Sequence, residues 1–134
     1  MQTNDVIASI GRMAREFHRR QDVSMLTLLK ECGYFDRSRD ITIDALQAHF
    51  AAHSDDLDAW VLNSYDNRSS PAWYVAQPGG PGDKWVVGHQ PGAQRDYFEN
   101  GAEACAVYVK RWLEAVSRFT EHATYKSLER TRDR

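Results

Sequence analysis

Tyr65-Asp66-Asn67-Arg68-Ser69-Ser70-Pro71-Ala72-Trp73-Tyr74-Val75-Ala76, then Pro78-Gly79-Gly80-Pro81-Gly82-Asp83, then Lys84-Trp85-Val86-Val87-Gly88-His89 reads as a breaker, a strand, a turn and a return strand. Aromatic and β-branched residues fill the two strand segments, and Pro and Gly fill the turn between them. Alternation puts Trp73 and Val75 on one face and Tyr74 and Ala76 on the other. Gln90 to Arg95 makes a second turn, and Asp96-Tyr97-Phe98-Glu99 suits a short third strand. A hairpin of this size is marginal alone, so the sheet needs a helix to rest on. Asn100-Gly101-Ala102-Glu103 opens that helix, with Asn100 as cap and Glu103 three residues on. Ala102, Cys105 and Ala106 are small enough for close approach to a sheet. Val107, Tyr108, Leu113, Val116 and Phe119 continue the apolar band, which reaches to about Leu128 before a charged end.

Upstream, apolar residues recur at helical spacing. Val6, Ile7, Ile10, Met13, Ala14 and Phe17 give a first helix over Thr3 to Arg20. Met25, Leu26, Leu28 and Leu29 give a second, from Asp22 or Val23 to Cys32, capped by Asp22 and stopped by Gly33. Asp36 to Asp40 reads as a polar connection. Thr42 caps a third helix that runs to about His53, with Ile43, Leu46 and Phe50 inward. Ser54 caps a fourth, with Leu57, Trp60, Val61 and Tyr65 on its apolar stripe. The expected fold is a single α+β domain over 1–134: N-terminal helices, a small antiparallel sheet and a long C-terminal helix packed on it.

The chain has 134 residues and a formal net charge of −2, so its overall field does not favour nucleic acid. Met1 is followed by no basic-then-apolar signal pattern, and no apolar run approaches a membrane span, so a cytoplasmic location is expected. The two cysteines, Cys32 and Cys105, have no ligand spacing and are expected to be buried thiols. The arginines of the first helix, Arg12, Arg15, Arg19 and Arg20, read as a solvated face.

The chemical candidates are few. His49 and His53 stand four apart, the spacing of a two-His metal site, but no Glu follows His49 and a third ligand has to come from Asp56 or elsewhere. Asp55, Asp56 and Asp58 fill the first turn of the fourth helix, where carboxylates favour the helix dipole without an ion. No metal or cofactor is therefore expected. Gly79-Gly80-Pro81-Gly82 lacks the Lys-Ser/Thr and helix of a phosphate loop. His89, Lys84, Arg68 and Asp66 compose an acid–base set for RNA cleavage or another hydrolysis, if the fold brings them together. A generic adaptor is a third possibility.

Trp60 through Ser64, Asp66 through Ser70, the Trp73-Tyr74-Val75 strand, the Val87-Gly88 return and the Phe98 to Val109 helix entry resemble small bacterial immunity proteins encoded beside contact-dependent growth inhibition or related polymorphic toxins. The resemblance covers about the C-terminal half; Asn67 stands where a Lys is expected, and the Pro/Gly loop is longer than a minimal turn. It implies a cytoplasmic antitoxin, not an enzyme, that binds a cognate toxin C-terminal domain, commonly a nuclease, and blocks its active site or substrate path. A basic toxin face suits an acidic partner. The expected contact residues are Asp55, Asp56, Asp58 and Asp66, with Tyr65 and Tyr97 as aromatic anchors.

Overall fold

The computed structural model describes residues 2–20, 23–66, 72–80, 82–90 and 94–132, and the side chains among them except 66, 72, 90 and 119–132. The fold is α+β, as the sequence predicts. The helices are α1 (Thr3–Arg19), α2 (Met25–Glu31), α3 (Tyr34–Arg37), α4 (Ile43–Ala52), α5 (Ser54–Asp66) and α6 (Gly101–Arg132), with a 3-10 turn at Ser38–Asp40. The strands are β1 (Ala72–Ala76), β2 (Trp85–Gln90) and β3 (Arg95–Phe98), in the order β1-β2-β3 and all antiparallel.

Local chemistry sets the helix boundaries. Gln2 is the N-cap of α1, and its backbone N–H donates to Asp5 Oδ2 at 3.3 Å. The expected Asp22 cap lies outside the described residues. Ser24 caps α2 instead, its hydroxyl accepting from the Thr27 N–H at 3.0 Å, two residues beyond the expected cap. Gly33 ends α2 in the left-handed region (φ 85°). That turn lets the chain re-enter a helix at once, so α3 and the 3-10 turn replace the expected irregular connection. Thr42 caps α4 as predicted, its Oγ1 accepting from the Ala45 N–H at 3.1 Å. Ile41 before that cap and Leu46 in the first turn are both fully buried, the positions of a hydrophobic staple. Ile43, expected inward, is 38% exposed, whereas Ile41 is fully buried.

Cross-strand register makes the two faces of the sheet explicit. Trp73 pairs with His89, Val75 with Val87, and Trp85 with Phe98. These residues share the face on which α6 lies: Val75 and Val87 join the core cluster, and Trp73, Trp85 and Phe98 pack against it. Ala102, Ala104, Cys105 and Ala106 of α6 are buried there, small side chains that let helix and sheet approach. The Asn100 carboxamide oxygen caps α6 by accepting from the Ala102 N–H at 2.8 Å. Arg111 of α6 lies 4.8 Å over the Trp73 ring and donates to Asp96 at 2.7 Å, which holds the Asp96 carboxyl below its usual range. Lys110 Nζ donates to the Ile41 carbonyl at 2.5 Å, tying α6 to the entry of α4.

Tyr74, Ala76, Val86, Gly88, Arg95 and Tyr97 take the opposite face by register. The breaker sequence from Asn67 to Pro71, the turn at Pro91-Gly92 and the C-terminal Asp133-Arg134 lie outside the described residues. Among the described residues, no helix is long and apolar enough to cross a membrane.

Candidate functional site

Helix α5 organises both the interior and the surface of the protein. Residues at i, i+3, i+7 and i+10 share one helical face. On α5 that spacing aligns Asp55, Asp58, Leu62 and Tyr65, and all four are exposed. Leu62 is 53% exposed and Tyr65 39%. The inward arc carries Asp56, Trp60, Asn63 and Ser64, each at most 2% exposed. The helix therefore buries three polar residues and shows two large apolar ones, a reversal of the usual pattern that marks both faces for attention.

Two of these buried polar groups, Asp56 and Ser64, are held by specific partners. Asp56 receives the Arg15 guanidinium of α1 on Oδ1 and His49 Nε2 of α4 on Oδ2, the latter at 2.7 Å. The carboxylate thus joins three helices. It is fully buried, which corrects its assignment to a contact surface: a first-turn acid turned toward neighbouring helices is drawn in by their donors and has no area to offer a partner. Ser64 Oγ accepts from the Val75 N–H at 2.9 Å and donates to the Val75 carbonyl at 3.3 Å. It occupies the outer edge of β1 that would otherwise be open to an added strand. Tyr108, packed by Asn63 and Ser64, has its phenol pushed well up by burial.

Gly11 is where α1 passes closest to this centre. A Cβ there would stand 2.1 Å from His49 Nε2. Gly11→Ala adds helix propensity of about 1 kcal/mol, yet it drives the imidazole off Asp56. We expect net destabilisation of about 1–3 kcal/mol in urea unfolding; a stabilised variant is the contrary result.

On the surface side, a groove of about 400 Å³ lies between Ser64 and Tyr65 of α5 and Tyr74, Ala76, Gln77 and Pro78. Tyr74 and Ala76 belong to the sheet face away from α6. By register Ala76, Val86 and Tyr97 form one row across that face, and Tyr97 is 64% exposed. Of the sequence-predicted contact residues, Asp55, Asp58 and Tyr65 share one face of α5, and Tyr97 stands on the sheet face that borders the groove. The side chain of Asp66 lies outside the described residues.

The acid–base set is not assembled among the described residues. Lys84 is exposed just before β2 and His89 sits at the other end of that strand, roughly 16 Å away at 3.3 Å per residue. His89 packs edge-on against Trp73 at 4.9 Å on the α6 side. Arg68 and the Asp66 side chain lie outside the described residues. Both thiols are buried, and burial pushes Cys105 well up and Cys32 up as well, away from nucleophilic use.

Fold and surface together define an α+β protein with an acidic–apolar face along one helix and a groove beside it. The chain matches no family model, no curated protein and no solved structure.

Proposed function

We propose that this protein is a cytoplasmic immunity protein that binds a cognate toxin C-terminal domain, of nuclease type, and occludes its active site or substrate path without chemistry of its own. The observation that carries the reading is the exposed face of α5, where Asp55 and Asp58 precede Leu62 and Tyr65 and end at the groove bordered by Tyr74. Carboxylates steer a basic surface into encounter, and an exposed aromatic beside an apolar side chain supplies the desolvated anchor. Tyr97 extends the surface across the sheet.

The test is co-expression with the toxin domain encoded immediately upstream, read by pull-down and by growth. Wild type binds and protects. Tyr65→Ala combined with Leu62→Asp weakens binding by at least about 100-fold, the scale of two central anchors, while thermal unfolding stays within a few degrees of wild type. Charge reversal at Asp55 and Asp58 slows association and flattens its fall with added salt. Full protection by all of these variants, or an upstream gene from an unrelated metabolic operon, sinks the reading.

A further inference from the structure

His49 and His53 occupy one face of α4, a turn apart, and a two-His pair needs a third donor to hold a metal ion. The fold supplies it. Helix α5 starts at Ser54, directly after His53, and its first turn carries Asp56 back toward α4. His49 Nε2 stands 2.7 Å from Asp56 Oδ2, and one donor atom from each of His49, His53 and Asp56 lies within 4.8 Å of the others. Ligand atoms around a transition metal are roughly 3–4 Å apart when each bond is about 2.0–2.2 Å, so a shift of about 1 Å closes the set.

Hydrogen bonds already hold two of these donors, Asp56 and His49, toward each other. His53 Nδ1 lies 2.9 Å from the His49 carbonyl, which can only accept, so in the neutral ring the proton belongs on Nδ1 and the lone pair on Nε2. A histidine ligand commonly donates its other nitrogen in this way. Arg15 holds Asp56 Oδ1 and leaves Oδ2 turned toward His49. The carboxylate thus has one oxygen for the guanidinium and one for a metal. The His49 side chain is 8% exposed and fixed, with Gly11 giving it room. His53 is exposed, at the C-cap of α4, and stacks on His49 at 4.2 Å and 15°. Imidazole lone pairs lie in the ring plane, so His53 has to turn out of the stack to share an ion, exchanging its contact with the His49 carbonyl for the metal bond; its exposure leaves room for that rotation.

We propose that His49, His53 and Asp56 form a site for a borderline divalent transition metal such as Zn²⁺. Two imidazoles and one carboxylate suit that class and do not suit Mg²⁺ or Ca²⁺, which take oxygen ligands. A bound ion takes the place of the proton between His49 Nε2 and Asp56 Oδ2. Three protein ligands leave a coordination position for water, on the exposed side of His53.

The probe is the metal alone, added to chelator-treated full-length protein and followed by calorimetry, with Co²⁺ as a visible-absorbing substitute. One Zn²⁺ binds per chain, raises the melting temperature, and leaves no comparable response to Mg²⁺. His53→Ala, an exposed change, keeps the metal-free circular dichroism and melting temperature and weakens Zn²⁺ binding by at least about ten-fold. His53→Gln repeats the test with a side chain of similar size. Failure of wild type to bind Zn²⁺ saturably, equal binding by both His53 variants, or loss of binding on His18→Ala or His89→Ala instead overturns the proposal. The site is independent of toxin binding, so neither result decides the other.

Discussion

Replacing Trp60 by Ala is expected to lower stability by about 3–5 kcal/mol, the range for removing a large buried aromatic. Trp60 is fully buried where α1, α5 and α6 meet. Its Nε1–H donates to the Ile10 carbonyl at 3.1 Å. Its ring meets Trp112 edge-on at 5.3 Å and Tyr108 at 6.2 Å. The substitution leaves a cavity, frees a helix carbonyl and breaks two aromatic contacts in one step. For a chain of this size the melting temperature should fall by more than about 10 °C. Trp60→Phe is the milder change: it keeps one aromatic ring but loses the hydrogen bond and leaves a smaller cavity, for about 2–3 kcal/mol. Circular dichroism melts of both variants check the pair. A Trp60→Ala protein that melts within a few degrees of wild type contradicts the central place given to this side chain.

The order of elements was legible because each one satisfies its own local rule. The hairpin announced itself by two aromatic, β-branched runs around Pro78 to Asp83, and α6 by Asn100 followed by small residues. Errors fell where two local signals compete. Asp22 and Ser24 are both good caps by residue type, and it is Ser24 whose hydroxyl meets the Thr27 N–H. Gly33 stops a helix in either reading, but its left-handed turn also starts α3, which no periodicity in four residues reveals.

The site was harder to read than the fold for a different reason. On α5 the pattern of apolar residues leaves the burial of Asp56, Asn63 and Ser64 unexplained. Their partners come from other elements, α1, α4, β1 and α6, at separations such as 7 residues (His49 to Asp56) and 41 (Arg15 to Asp56), and no single spacing rule carries that information. With those three drawn inward, the helix is rotated so that Leu62 and Tyr65 face out. The same rotation that removed Asp56 from the surface delivered it to His49, the third donor that the two-His spacing lacked. Asp55 and Asp58, chemically identical to Asp56 in sequence, stay outside because the helical turn points them away from Arg15 and His49.

That difference among three aspartates sets the second large effect. Asp56→Ala should destabilise the fold by about 2–4 kcal/mol, whereas Asp55→Ala and Asp58→Ala should each cost less than about 1 kcal/mol, the scale of an exposed first-turn charge on the helix dipole. Removing the Asp56 carboxylate strands His49, nearly buried, without its partner and leaves Arg15 to find water; Arg15 is half exposed and does so readily, which keeps the loss below the full cost of an orphaned buried charge. A double-mutant cycle with His49→Ala locates the interaction. If the two groups act as one unit, the double variant loses markedly less than the sum of the singles, by at least about 1 kcal/mol. Urea unfolding of the four variants and the pair measures this directly. Equal small losses at all three aspartates are the contrary result: they put Asp56 back on the surface with its neighbours and dissolve both the three-helix junction and the metal site built on it.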